Sequence, residues 1–173
     1  MLDFMRNRKK LMAFLNCIFV FLIVMNLPSK QSPYEWLVKE SYQIGEENAP
    51  ELLLASEEYT NKYILFFTNK HGNISCAIIK KGFLNYKLLR VSSGLLLVNN
   101  DEDCNFIFSS YEDGYTRKWI YWGILWNSEI DKVLLNKREA RTIDIKNYKI
   151  RISYTVGEDC SGKLPPNQEL IFR

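Results

Sequence analysis

Histidine is almost missing from this chain, which contains a single one, His71. Histidine is the commonest general base near neutral pH and a frequent zinc ligand. A single histidine excludes the common zinc sites that need two or three, and it leaves one candidate for a histidine general base. The nearest cysteine, Cys76, lies five residues away. Strand geometry separates the two by roughly 10 Å or more, so we expect an exposed turn histidine and no Cys-His dyad.

Recognisable catalytic and metal-binding motifs are also lacking. The chain has no glycine-rich phosphate loop, no G-x-S-x-G or S-x-x-K sequence and no C-x-x-C pair among its four cysteines. The acidic segment 99–103 superficially resembles a calcium loop, but Cys104 and Ser110 stand where an EF-hand needs glycine and a bidentate acid. We therefore predict no metal, no cofactor and no catalytic residues.

An excess of charge of one sign is lacking after the first ten residues. The net charge is +3, and the segment 1–10 accounts for all of it through Arg6, Arg8, Lys9 and Lys10 against Asp3. The rest of the chain is formally neutral. Nucleic-acid binding depends on clustered lysine and arginine, so we predict no nucleic-acid partner.

A long apolar run is present, over residues 11–27, directly after the basic segment. As a helix it would extend about 26 Å, close to the thickness of a hydrocarbon core. The preceding positive charges predict a cytoplasmic N-terminus and an extracytoplasmic main domain. A cleaved signal peptide is the alternative, although no A-x-A-like site follows Met25.

These features predict four segments: a cytoplasmic tail over 1–10, a transmembrane signal-anchor over 11–27, a linker over 28–33 and an extracytoplasmic domain over 34–173. The anchor implies membrane lipid as one partner. Just after the linker, Tyr34 and Trp36 could sit at the lipid headgroups or pack on the domain.

The domain's pattern predicts an α+β fold, with one or two short N-terminal helices and a mainly antiparallel sheet, preceded by the single transmembrane helix. Asn48, Pro50 and Glu51 resemble a helix start, which predicts a helix over 49–59. From residue 62 onward, short apolar runs alternate with glycine, asparagine and aspartate, as in strands and tight turns. We predict strands over 62–68, 74–80, 84–91, 104–110, 115–126, 132–135, 141–145, 148–154 and 170–172. Most connections are too short for parallel crossovers.

The aromatic stretch 119–126 gives the only candidates for ligand binding, namely Trp119, Trp122 and Trp126. On a strand, both of its faces would be apolar, which favours a central strand covered on each side over an open binding surface. Of the three possible disulfides among the later cysteines, Cys104 with Cys160 is our choice.

The stretch IIKKGFLNYKLLRV over 78–91, the Trp122-Gly123-Ile124 segment with Asn127, and the Ile130-Asp131-Lys132-Val133 segment resemble small uncharacterised membrane-anchored ectodomain proteins of Bacillus-type Firmicutes. The resemblance implies an extracytoplasmic fold of this type. It brings no established activity to carry over.

Together these observations favour a membrane-tethered, non-catalytic binding or sensing module that engages another envelope protein or a cell-surface polymer. A small envelope hydrolase that uses carboxylates such as Asp101, Asp103 or Glu112 is one alternative. A protective or immunity protein is another.

Overall fold

The computed structural model describes residues 10–21, 31–83, 85–97, 102–135, 138–158 and 168–172. Helix α1 covers residues 10–21, and its side chains are exposed. No helix within the described ranges is both long enough and apolar enough to cross a membrane.

Helix α2 (Pro33–Lys39) begins the folded domain, and its sequence explains where it starts. The Ser32 hydroxyl accepts a hydrogen bond from the Glu35 backbone N–H at 3.1 Å, and the Glu35 carboxylate accepts one from Ser32 N–H at 2.8 Å. This capping box satisfies two N–H groups that a helix otherwise leaves unpaired. Pro33, predicted as the end of the linker, is the first helical residue, where its fixed φ is favourable.

Strands dominate the rest of the described chain. Their bounds are β1 (Pro50–Tyr59), β2 (Lys62–Asn69), β3 (Asn73–Lys81), β4 (Tyr86–Leu96), β5 (Cys104–Asp113), β6 (Thr116–Leu125), β7 (Ile130–Leu135), β8 (Arg138–Glu139), β9 (Arg141–Ile145), β10 (Ile150–Glu158) and β11 (Gln168–Phe172). Short 3-10 helices cover Ser41–Gln43, Glu46–Asn48 and Lys146–Tyr148. Each predicted strand overlaps one of these, but those predicted over 84–91 and 148–154 begin two residues later and the one over 115–126 is a residue shorter at each end. Strands β1 and β8 were not predicted.

The strands form three antiparallel sheets. The first sheet has the order β1-β2-β3-β4, the second β5-β6-β10-β9 and the third β11-β7-β8. Every pairing is antiparallel, so the predicted mainly antiparallel α+β class is confirmed.

The molecule is layered. The main core lies between the first and second sheets, where Ile64, Phe66, Ile78, Trp122 and Ile152 are at most 1% exposed. Two smaller cores cover the outer faces. Trp36 and Leu37 of α2 pack on the first sheet, while Ile130 and Val133 of the third sheet pack on the second. Both four-stranded sheets therefore have their broad faces covered.

The prediction of a helix over 49–59 is wrong, because this segment is strand β1. The Asn48 side chain does not cap a helix; its amide donates back to the Ile44 carbonyl at 3.0 Å and closes a short 3-10 turn. The leucines that suggested an apolar helix face alternate across the strand instead. Leu53 packs on the α2 side of the first sheet and Leu54 on the main core.

Two turns that separate predicted strands are well defined. The Asn69 side-chain oxygen accepts hydrogen bonds from the backbone N–H groups of His71 and Asn73 at 3.0 and 3.1 Å, which closes the β2–β3 hairpin. Gly114, with φ +69°, turns the chain between β5 and β6. Both turns use residues that tolerate such backbone geometry.

Candidate functional site

The three tryptophans predicted as ligand contacts lie in packed layers. Trp122 is fully buried between the two large sheets, and its indole N–H donates to Ser92 Oγ at 3.2 Å. Trp126 lies on the same side, and its indole N–H donates to the Leu97 carbonyl at 3.3 Å. Trp119 packs on the opposite side, among the residues that face the third sheet. The structure thus assigns the indoles to different layers, in agreement with the predicted central strand.

Trp36 and Tyr34 also pack on the domain. Trp36 is 4% exposed and belongs to the core between α2 and the first sheet, with Tyr34 against it. Of the two roles considered for these aromatic side chains, packing is the one observed.

In the described part of the chain, neither His71 nor Cys76 belongs to a catalytic or metal-binding group. His71 is exposed in its turn, and Cys76 is 1% exposed inside the main core. Burial raises the pKa of the Cys76 thiol well above its ordinary value, which keeps it protonated and poorly nucleophilic. Cys104 begins β5, whereas Cys160 lies outside the described residues, so their disulfide stays a prediction.

The acids considered for hydrolysis are not brought together. Asp103 precedes β5 and Glu112 lies near its other end, so nine residues of extended chain, or about 30 Å, separate them. Asp101 lies outside the described residues. Among the residues that the structure does describe, no group of three or more histidine, cysteine or acidic side chains is placed to hold a metal ion.

A cleft of about 580 Å³ opens at the rim where β4 of the first sheet approaches β5 of the second, and we call it the basic cleft. Its polar lining consists of Lys87, Arg90, Ser110, Tyr111, Glu112 and Arg117. Three of these side chains are cationic and one is a carboxylate. The basic cleft is therefore electropositive although the domain as a whole is close to neutral.

Two serines orient the guanidinium groups of the basic cleft. Arg90 Nε donates to Ser109 Oγ at 3.2 Å, and an Arg117 Nη donates to Ser110 Oγ at 3.4 Å. Within the described parts of the chain, neither arginine nor Lys87 has a carboxylate oxygen within 4.0 Å. Their charges are thus positioned by neutral partners and are not neutralised by an ion pair.

Next to the basic cleft, Asp113 joins the two large sheets. Its carboxylate oxygens lie 2.8 Å from Lys62 Nζ on β2 and 2.6 Å from Lys80 Nζ on β3. Hydrogen bonds from Lys62 and then Lys80 lower the pKa of Asp113 to about 2. We call these three residues the Asp113 cluster. It fixes the end of β5 against the first sheet and so holds the adjoining wall of the basic cleft in place.

Tyr111 supplies a neutral hydroxyl in the same region. It is 6% exposed, and burial, with a smaller contribution from Asp113, raises its pKa to about 12. The phenol therefore stays protonated at neutral pH and acts as a hydrogen-bonding group without charge.

The basic cleft was missed by sequence reasoning. Lys87 and Arg90 belong to one sheet and Arg117 to the other, and neither segment has an unusual charge density. Only the packing of β4 beside β5 brings them together. The alternation of polar and apolar residues along each strand was visible, but the pairing of two sheet edges was not.

No family model, curated protein or solved structure matches this chain.

Proposed function

We propose that this chain is a membrane-tethered, non-catalytic binding module, and that its basic cleft engages an anionic partner in the envelope. The partner is an acidic segment of another envelope protein or an anionic cell-surface polymer. The observation that carries this proposal is the placement of Lys87, Arg90 and Arg117 around one cleft. In the described structure, no carboxylate oxygen lies within 4.0 Å of their side-chain nitrogens.

The geometry favours recognition of an extended anion. Both β4 and β5 are edge strands, so the cleft follows a sheet rim and is not an enclosed cavity. Guanidinium groups donate paired hydrogen bonds to carboxylate or phosphate oxygens, and here serine hydroxyls already orient them. The Asp113 cluster limits relative movement of the walls, which reduces the entropy lost on binding.

The proposed tether is the segment 11–27, which follows four basic residues within the first ten. The described part of this segment supports the proposal through its exposed apolar side chains: Leu11, Phe14, Phe19 and Phe21 are each about 60% exposed. Side chains of this kind are stabilised by lipid contact.

A direct test compares polyanion binding by the full chain, in detergent, with that of a variant carrying Lys87→Gln, Arg90→Gln and Arg117→Gln. The probes are poly-L-glutamate, as an acidic peptide, and inorganic polyphosphate, as a phosphate polymer. We expect at least one probe to bind, and the variant to bind it about tenfold or more weakly, since each exposed charge contributes up to about 1 kcal/mol. Calorimetry measures the affinity of the natural chain and of the variant for each probe. Repeating it at a second salt concentration shows how far each affinity depends on charge.

The matched control removes the same charge elsewhere, with Lys70→Gln, Arg138→Gln and Lys146→Gln, all exposed and outside the cleft. It should bind nearly as the natural chain does. Equal losses in the two variants would reduce the binding to general charge attraction and would refute the proposal. So would failure of both polyanions to bind.

A further inference from the structure

The opposite rim of the two large sheets, where β1 lies beside β9, contains a second recess with different chemistry. Its inner part, of about 150 Å³, is lined by Tyr59, Glu139, Arg141, Tyr154, Thr155 and Val156, and we call it the tyrosine pocket. An outer part of about 430 Å³ shares Glu139 and Arg141 with it and adds Glu57. The two parts are adjacent, since Glu139 and Arg141 line both of them.

Strand pairing explains why a recess forms here. Strand β9 begins at Arg141, which pairs with Tyr154 of β10. Beyond that pair, β10 continues through Thr155 to Glu158 beside β6 only. The side of β10 that β9 leaves uncovered forms one wall of the tyrosine pocket.

The Tyr154 hydroxyl is an unexplained buried polar group in this wall. Tyr154 is 1% exposed, and its hydroxyl has no hydrogen-bond partner of good geometry in the described structure. Burial raises the pKa of Tyr154, and the adjacent Arg141 guanidinium offsets part of that rise. A buried hydroxyl without a partner is unfavourable by roughly 1–3 kcal/mol, which a ligand oxygen would recover.

Arg141 is positioned beside this hydroxyl but is only loosely held. Its sole ion pair in the described structure is with Glu57, at 4.0 Å, and its side chain is 61% exposed. The guanidinium can therefore adjust to a ligand with little loss of existing contacts. Arg141 and Tyr154 together offer charged and neutral donors that suit one carboxylate.

Carboxylates line the same recess close to Arg141. Glu57 and Glu139 are both partly exposed and flank Arg141. Glu139 accepts a hydrogen bond from Lys132 at 3.2 Å, which leaves further acceptor capacity on its second oxygen. In the outer part the three acids Glu57, Asp131 and Glu139 outnumber the two cations Lys132 and Arg141, so an ammonium group is favoured there.

The geometry points to the tyrosine pocket as a binding site for a small α-amino acid, with its carboxylate on Arg141 and Tyr154 and its ammonium on Glu57 and Glu139. The inner volume of about 150 Å³ equals that of roughly five water molecules in the liquid, which suits the backbone of a small amino acid. A longer side chain would extend into the outer part. This site is separate from the basic cleft, and the inference does not depend on the function proposed for that cleft.

The test uses L-alanine, N-acetyl-L-alanine and L-alaninamide with the full chain in detergent, followed by calorimetry or by ligand-observed NMR. We expect saturable binding of alanine, and binding about tenfold or more weaker for each analogue, because each lacks one of the two charges. Equal binding of N-acetylalanine would show that the ammonium is not recognised and would overturn the inference. So would a lack of saturable alanine binding up to about 10 mM.

Tyr154→Phe removes only the buried hydroxyl and is the decisive variant. We expect it to bind alanine at least about fivefold more weakly, with a urea midpoint little changed, because the neighbouring donor of the hydroxyl in the free protein is the exposed, loosely held Arg141 side chain. Tyr63→Phe, a partly buried tyrosine on the far side of the first sheet, is the matched control and should bind normally. Unchanged alanine binding by Tyr154→Phe would refute the assigned contact. Arg141→Gln tests the carboxylate contact independently and should also weaken alanine binding.

Discussion

At the scale of single residues, the Asp113 cluster is a largely buried ionic link between the two large sheets. The Lys62 side chain is 5% exposed and that of Asp113 10% exposed, so the pair is largely removed from solvent. Burying either charge alone would be unfavourable, and mutual pairing offsets this. The stability of the sandwich should therefore respond strongly to the loss of one partner.

Asp113→Asn should destabilise the chain by about 2 kcal/mol or more at pH 7, because it leaves the buried Lys62 ammonium without a counter-charge. The folded pKa of Asp113, about 2, lies below its ordinary value of 3.8. The contribution of its carboxylate is thus fully present above about pH 5 and is lost as the pH falls toward 2. Urea unfolding at a series of pH values measures both effects.

The control for this experiment is Asp144→Asn, which changes an exposed aspartate on β9 and should shift stability by less than about 0.5 kcal/mol. A stability difference between the natural chain and Asp113→Asn that stays constant from pH 7 to pH 2 would contradict the assignment.

At the scale of elements, strand β6 is the centre of the second sheet, and two glycines allow its close packing. A Cβ on Gly123 would collide with the backbone carbonyl of Asn105, whereas one on Gly157 would meet the indole ring of Trp119. The first obstacle is part of a paired strand and the second is a side chain. The steric clash of an added Cβ should therefore be relieved more easily at Gly157, where a side chain can move, than at Gly123, where a strand would have to move.

Gly123→Ala should lower the free energy of unfolding by about 2–3 kcal/mol, since the neighbouring β5 backbone cannot move without breaking its pairing. Gly157→Ala should also destabilise, but its effect should be less than additive with that of Trp119→Leu, which removes the obstructing ring. Thermal or urea unfolding of the natural chain, Gly157→Ala, Trp119→Leu and the double variant measures the coupling between the two positions. Strict additivity would show that Trp119 is not the obstacle.

The same scale shows what could be predicted from sequence. The strands from residue 62 onward were predictable because apolar alternation and the Asn69 and Gly114 turns agree with each other. Segment 49–59 was not, because Asn48, Pro50 and Glu51 satisfy local rules for a helix start, while pairing with β2 decides the outcome. The start of α2 could have been predicted from the capping box of Ser32 and Glu35, but the prolines at 28 and 33 favoured a linker over this segment.

At the scale of the whole molecule, the covered sheet faces leave the rims as the places where ligands can reach the sandwich. The basic cleft lies at the β4–β5 rim and the tyrosine pocket at the β1–β9 rim. Neither could be found by inspecting the sequence, because each combines residues of strands that are distant along the chain. The apolar pattern along each strand predicts which sheet faces are buried. Which residues meet at a rim depends on the order of the strands in the two sheets.

The membrane topology is a prediction about the entire chain. We expect it to stay with the membrane pellet after alkaline extraction, and its domain to be digested by protease added to intact spheroplasts. Replacing Arg6, Arg8, Lys9 and Lys10 by glutamate should reduce correct orientation, since basic residues retain that end in the cytoplasm. Recovery of the intact chain in the soluble cytosol would refute the tether.

The layering has a practical consequence for measurement. The four tryptophans are distributed over three layers, with Trp36 of α2 packed on the first sheet, Trp122 and Trp126 between the large sheets, and Trp119 toward the third sheet. Each layer thus contains its own natural fluorophore. Variants that retain one indole at a time would report optically, without any attached label, the order in which the layers separate during denaturation.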